Sequence, residues 1–238
     1  MNYIKAAAVS PELRVADVAY NTKEILHVVR NRLSEDVRAV LFPELSLTGY
    51  TPADLFFTED LLRASEEALR LIAEETKELD LILVVGLPLR HRNRLYNTGA
   101  VLHKGKVLGV VPKQHLPNYN EFYESRWFTA YEKSHGNEIY LRGFGAVPFG
   151  HLIFESEAFT FGVEICEDLF AAIPPSASLS LQGAEIMFNL SASNELVGKK
   201  EFRRSLVNLT SAKNIGAYVY ASSGPNESTT DLVFSGHL

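Results

Sequence analysis

The chain has 238 residues, 46% of them hydrophobic and 22% charged, which is the composition of a globular protein long enough to bury one large core. A net charge of −6 without clusters of Lys and Arg argues against general binding to nucleic acid or to anionic membranes, and favours small-molecule or protein partners. The single cysteine excludes an internal disulfide framework, and no apolar stretch approaches the roughly 20 residues that span a bilayer, so we expect a cytoplasmic protein.

Short β-rich apolar runs alternate with longer amphipathic segments, which predicts an α/β sandwich. In the first third of the chain we predict a strand at 4–9, a helix at 15–34, a strand at 39–42 and a helix at 61–79 capped by Thr58. The most continuous apolar run, 81–88, is typical of a central strand.

The remaining elements follow the same alternation. They are two strands within 95–113 joined by a hairpin turn at 103–106, a loop at 117–138, strands near 150–154 and 159–165, a helical connection after Pro174 and Pro175, a strand at 185–193, a helix at 199–214 and a strand at 217–223. Residues 143–150 contain glycines but lack the Gly-Lys-Ser/Thr ending of a phosphate-binding loop, so we interpret them as a turn between strands.

Three reactive side chains follow directly on apolar runs. Glu44 follows AVLFP, Lys113 follows KVLGVVP and Cys166 follows FTFGVEI. Ligands of α/β sheets usually bind beyond the carboxyl ends of strands, so these positions predict a base, a cation and a nucleophile at a shared crevice. Alternatively, Cys166 is a packing residue, Glu44 belongs to a turn and Lys113 lies on the surface.

Three acids surround the cysteine: Glu164, Glu167 and Asp168. Nearby negative charge raises the pKa of a thiol above its unperturbed value of about 8.5, so Cys166 is a poor nucleophile on its own. A carboxylate that takes the thiol proton and an ammonium that offsets the acids make it usable near neutral pH.

Longer stretches around the three residues resemble a known family. FPELSLTGY, PKQHLPNYNEFYESRWF and GVEICEDLF are similar to the three signature blocks of the nitrilase/amidase (carbon-nitrogen hydrolase) superfamily. TGYTPADLF, NLSASNELVGK and ESTTDLVFSGH resemble, more narrowly, the glutaminase domain of the glutamine-dependent NAD synthetases. The resemblance covers essentially the whole chain and implies a four-layer α-β-β-α sandwich.

The resemblance also implies roles. Glu44 is expected to be the general base, Cys166 the nucleophile that attacks the side-chain amide of L-glutamine, and Lys113 the cation at the oxyanion. In this superfamily a further carboxylate assists the reaction. We favour Glu121 for this role, with Glu124 as the second choice, the reserve. For glutamine itself, Glu167 is expected to pair with the ammonium and Ser193 and Lys199 to hold the carboxylate, with aromatic walls from Tyr50, Tyr119 and Phe122.

The same resemblance implies what lies outside this stretch. Family members carry a C-terminal synthetase domain that uses ATP and deamido-NAD, and nothing here matches it, so residues 1–238 are expected to be a truncated glutamine amidohydrolase domain without a cofactor or metal of its own. Its expected partners are L-glutamine, that synthetase domain and further copies of itself in a homo-oligomer. A stand-alone amidase, nitrilase or carbamoylase, and a non-catalytic assembly module with this fold, remain alternatives.

Overall fold

A computed structural model of the chain describes residues 3–238 as eleven strands and four α-helices joined by short 3₁₀ turns. The strands are β1 (Lys5–Ala8), β2 (Val37–Leu41), β3 (Ile82–His91), β4 (Arg94–His103), β5 (Lys106–Pro112), β6 (Glu138–Leu141), β7 (Gly145–Pro148), β8 (Ile153–Glu155), β9 (Thr160–Ile165), β10 (Ile186–Ser191) and β11 (Ala217–Ser222). The helices are α1 (Val18–Asn31), α2 (Glu59–Glu75), α3 (Pro175–Leu181) and α4 (Lys199–Asn214).

The first sheet has the order β1-β2-β3-β4-β5. β1, β2 and β3 pair in parallel, whereas β4 is antiparallel to both β3 and β5, so β2, β3 and β5 end at the same edge. The expected central strand, β3, is the middle of this sheet, as predicted. Two-residue hairpin turns, Arg92-Asn93 and Lys104-Gly105, join its antiparallel strands, and the positive φ angles of these residues match the twist of the ladder.

The second sheet has the order β11-β10-β9-β8. β9, β10 and β11 are parallel and β8 is antiparallel to β9, so β9 and β10 also end at one edge. A bond from the amide of Glu44 to the carbonyl of Ser191, at 3.3 Å, joins the chain after β2 to the end of β10. The carboxyl ends of the two sheets therefore meet.

Three apolar clusters, one large cluster on the first sheet, one between the sheets and a small one on the second sheet, separate four layers. β2 is buried on both faces: Val40 packs toward the helices, while Ala39 and Leu41 face the other sheet. Helices α1 and α2 cover the first sheet, and α3 and α4 pack on the second. Residues of the core between the sheets include Leu41, Val84, Val101, Val111, Phe161, Val163, Ile165, Phe188 and Leu190. Burial of each such side chain stabilises the folded state by on the order of 1.5–3 kcal/mol relative to leaving it exposed.

Some local predictions need correction. Thr58 is the residue before α2, but its hydroxyl donates to the carbonyl of Leu55 at 2.7 Å and makes no capping bond to the helix. Within 143–150, residues 145–148 form β7, which pairs with β6 in a separate hairpin that the sequence analysis did not predict. Across residues 3–238, no helix is long and apolar enough to cross a membrane.

Candidate active site

Glu44 and Lys113, which follow β2 and β5, meet in the interior. Lys113 Nζ donates to Glu44 Oε1 at 2.6 Å, and both side chains are fully buried. Asn97 Nδ2 donates to the same oxygen at 2.6 Å. A buried ion pair requires such additional bonds because desolvation of both charges is costly.

One glycine makes the position of Glu44 possible. A Cβ on Gly86 in β3 would lie 2.2 Å from the backbone nitrogen of Leu45 and 2.7 Å from the carbonyl oxygen of Pro43. The turn that carries Glu44 thus rests directly on the backbone of β3. The amide of Gly86 also donates to Ser46 Oγ at 3.1 Å, which fixes the turn against the strand.

A second carboxylate, Glu124, contacts Lys113. Lys113 Nζ donates to Glu124 Oε1 at 2.7 Å, and the hydroxyl of Tyr50 donates to that oxygen at 2.6 Å. Burial acts to lower the pKa of Lys113, but the carboxylates of Glu124 and Glu44 overcome it and raise that pKa well above its usual range. Burial raises the pKa of Glu124 to about 7, with the charge of Glu44 adding to the effect and Lys113 opposing it.

The structure places Glu124, and not the favoured Glu121, in contact with Lys113. The sequence analysis favours Glu121, but Glu121 Oε1 instead accepts from Asn194 Nδ2, which lies in the loop after β10. The carboxylate placed beside Lys113 is the reserve, Glu124. Glu121 lines the neighbouring cavity and belongs to its wall.

Cys166 lies directly after β9, where the backbone turns sharply. Its φ angle is +45°, an uncommon conformation for a residue with a side chain, and its amide donates to Asn189 Oδ1 at 3.2 Å. Burial raises the pKa of the Cys166 thiol to about 12; the charge of Glu44 adds to this shift and that of Lys113 opposes it. All three groups therefore lie within electrostatic range of one another, and the thiol is protonated at neutral pH.

Cys166 opens onto a cavity of about 410 Å³. Five of the six residues predicted to bind substrate line it: Tyr119, Phe122, Glu167, Ser193 and Lys199. The exception is Tyr50, which is buried beneath Glu124 and borders a smaller cavity instead.

The cavity carries opposite charges on its walls. The hydroxyl of Tyr119 bonds to both oxygens of Glu167, at 3.1 and 3.0 Å, and burial raises the pKa of this carboxyl. Lys199 is the first residue of α4, and its Nζ bonds to Asn194 and lies 5.5 Å from the ring centroid of Phe122. Burial lowers the pKa of Lys199. The N-terminus of α4 adds positive electrostatic potential to the same wall of the cavity.

Comparison with known proteins identifies the family of the chain. The sequence profile described as carbon-nitrogen hydrolase matches residues 5–237. The chain belongs to the carbon-nitrogen hydrolase family. Glutamine-dependent NAD(+) synthetase of Mycobacterium tuberculosis is 43% identical over 239 residues, which cover 98% of this chain and 35% of that protein. The chain thus spans about a third of the length of the curated relatives it matches.

Two solved structures illustrate the fold. That of a glutamine-dependent NAD(+) synthetase from Cytophaga hutchinsonii superposes with a TM-score of 0.84 at 30% identity, over 93% of this chain and 36% of the other. An amidase from Nesterenkonia sp. superposes with a TM-score of 0.77 over 97% of this chain and 79% of the other. At 18% identity the latter similarity concerns the fold alone. The expected four-layer nitrilase-type architecture is therefore confirmed.

Two buried polar residues near this site, Asn97 and Arg203, escape sequence reasoning. Asn97 lies mid-strand in β4, where only tertiary pairing brings it to Glu44. Arg203 is buried in α4 and donates to Ser193 Oγ at 3.2 Å, to the carbonyl of Asn194 at 2.8 Å and to Glu195 at 2.5 Å. An arginine in a charged helix reads as a solvated residue, so no local signal marks it. Within residues 3–238, no group of three or more His, Cys, Asp or Glu side chains is placed to hold a metal ion.

Proposed function

We propose that this domain hydrolyses the side-chain amide of L-glutamine to glutamate and ammonia, and that the ammonia supplies NAD synthesis at a partner synthetase domain. The observation that carries the proposal is the cavity: its lining includes Cys166, the carboxyl residue Glu167 and the ammonium residue Lys199. An α-amino acid has the matching pair of charges, and its side-chain amide is the group that remains to meet the sulfur. The names and shared sequence of the NAD(+) synthetase relatives agree with this substrate.

The chemistry begins with the thiol proton. Because the pKa of Cys166 is raised to about 12, attack requires a base that removes the proton as the sulfur–carbon bond forms. Glu44 suits this role: its Oε1 holds Lys113 and Asn97, and its Oε2 has no hydrogen-bond partner among residues 3–238. The free oxygen can accept the proton without breaking the ion pair.

Lys113 then balances the negative charge that develops on the amide oxygen. Glu44 returns its proton to the amide nitrogen, the carbon–nitrogen bond breaks and ammonia leaves, with the glutamyl group held on Cys166 as a thioester. Water, deprotonated by Glu44, attacks the thioester, and the thiolate recovers the proton as glutamate departs. Burial raises the pKa of Glu124 to about 7. The carboxylate of Glu124 partly offsets the positive charge of Lys113 during these steps.

The experiment compares ammonia release from glutamine, asparagine, N-acetylglutamine, butyramide, a simple nitrile and an N-carbamoyl amino acid. We expect glutamine to be the best substrate, and N-acetylglutamine, which lacks the ammonium, to lose at least about tenfold in kcat/KM. Lys199→Met should raise KM for glutamine without changing that for butyramide, and Lys200→Met, at an exposed neighbouring position, serves as the control.

Two results would overturn the assignment. Hydrolysis of butyramide, the nitrile or the carbamoyl compound as efficiently as glutamine would indicate a stand-alone hydrolase of another specificity. A folded protein that releases ammonia from none of the compounds would favour a non-catalytic module.

A further inference from the structure

Of the three acids around Cys166, only Glu167 lines the cavity. Glu164 is buried and accepts from the amide of Ser176 at 2.8 Å and from the hydroxyl of Tyr218. These bonds link β9 to α3 and β11, so Glu164 stabilises the packing around the second sheet. Asp168 is also buried, but it does not line the cavity. It accepts hydrogen bonds from backbone amides next to Lys113 and next to Cys166.

Both oxygens of Asp168 accept bonds from backbone amides. Oδ1 accepts from Gln114 at 3.1 Å and from His115 at 2.8 Å, the two residues that follow Lys113. Oδ2 accepts from Ile165 at 3.0 Å, the residue that precedes Cys166. One carboxylate thus joins the chain beside the cation to the chain beside the nucleophile.

The two joined segments leave different sheets, β5 and β9, which otherwise contact each other through packed apolar side chains. Apolar packing is not directional, so it constrains the relative position of two loops less than hydrogen bonds do. Three amide donors need several acceptor positions in one small group, which a carboxylate provides. An asparagine offers only one acceptor oxygen and directs an NH₂ group toward one of the amides.

We propose that Asp168 is a positioning residue: it sets the separation between the Lys113 ammonium and the Cys166 sulfur by bonding to the backbone on both sides. This inference rests on the proposed function for the role of the two side chains. The hydrogen bonds that Asp168 makes go to backbone amides and not to the side chains of Lys113 or Cys166.

The test uses Asp168→Asn, Asp168→Glu and a control, Glu185→Gln. Glu185 accepts from the amide of Thr160 at 2.9 Å, so it makes the same kind of bond at the opposite end of β9. For both Asp168 variants we expect kcat for glutamine to fall about 10- to 100-fold with KM within about threefold, because misplacement by about 1 Å has effects of this size. The control should retain the kcat of the wild type.

Hydrogen exchange distinguishes a local loss of these bonds from general destabilisation, because general destabilisation speeds exchange throughout the protein. In Asp168→Asn, the amides of Gln114 and His115 should exchange at least about tenfold faster, while amides in β3 and β10 keep their rates. Both the kinetic and the exchange change are required, and either one without the other overturns the proposal. If the variants do not fold, wild-type exchange decides: amides at 114 and 115 that exchange like open loop overturn it, and protected ones support it.

Failure of the proposed function is recognised separately. If wild type releases no ammonia from glutamine, the rate of Cys166 alkylation by chloroacetamide replaces kcat, and the exchange experiment is unchanged. An equal alkylation rate in wild type and Asp168→Asn then counts against the positioning role.

Discussion

Replacement of Glu124 by Gln tests the arrangement of charges around Lys113. The substitution keeps the shape of the side chain and an oxygen that can accept from Lys113 and Tyr50, but it removes the negative charge that Glu124 carries above its pKa of about 7, so the comparison is made at pH 8.5. Lys113 then keeps Glu44 as its only carboxylate partner among residues 3–238.

The magnitude follows from the two bonds to Glu124 Oε1, at 2.7 Å from Lys113 and 2.6 Å from Tyr50. A hydrogen bond to a charged group contributes about 1.5–3 kcal/mol, and a neutral acceptor retains part of that. A loss of about 2–3 kcal/mol in the transition state corresponds to a fall in kcat of about 30- to 150-fold.

The assay is ammonia release at saturating glutamine, with urea unfolding to confirm that each variant is folded. Glu121→Gln is the matched comparison, because the two residues lie three positions apart in one loop and only Glu124 touches Lys113. For Glu121→Gln we expect the effect to fall on KM, with kcat within about threefold of wild type. A larger loss of kcat in Glu121→Gln than in Glu124→Gln would refute this reasoning.

Three further substitutions test supporting features. Burial raises the pKa of Glu227 from 4.5 to about 7, so between these pH values the unfolded chain loses a proton that the folded state keeps, and stability falls with rising pH by on the order of 3 kcal/mol. The free energy of unfolding in urea, measured at pH 4.5 and pH 7.5, should fall less with pH in Glu227→Gln than in the wild type by about this amount. An equal fall in both proteins would contradict this prediction. Asn97→Ala leaves Glu44 without its 2.6 Å amide donor and should lower kcat about tenfold, whereas an unaltered kcat would show the bond to be dispensable. Gly86→Ala places a Cβ 2.2 Å from the nitrogen of Leu45 and should destabilise by about 3 kcal/mol or more in thermal unfolding; a loss below about 1 kcal/mol would mean that the turn moves freely.

The sequence predicts most of the framework because its signals are local. The alternation of apolar runs locates β3, β5 and β9, and the helix predicted at 199–214 coincides with α4. Reactive residues at strand ends are predictable for the same reason: strands that run in the same direction end at one edge of a sheet, so Glu44 and Lys113, which follow β2 and β5 of the first sheet, come close without any knowledge of the loops.

The loop between β5 and β6 is where sequence reasoning fails. Its residues have no periodic pattern, and their placement depends on distant contacts, such as the bond from Tyr50 to Glu124 and that from Arg126 to Asp54 at 2.7 Å. Nothing local therefore distinguishes Glu121 from Glu124. The β6–β7 hairpin was missed for a related reason, since each strand has only four residues.

By our proposal, the buried thiol of Cys166, in the field of Glu44 and Lys113, attacks a glutamine-like electrophile. Intact mass after treatment with a diazo-ketone analogue of glutamine tests it most directly, on the wild type, on Cys166→Ala and with glutamine added as a competitor. We predict addition of one analogue to the wild type, slowed by glutamine, and none to Cys166→Ala. Equal addition to both proteins, or none to a folded wild type, would contradict the account.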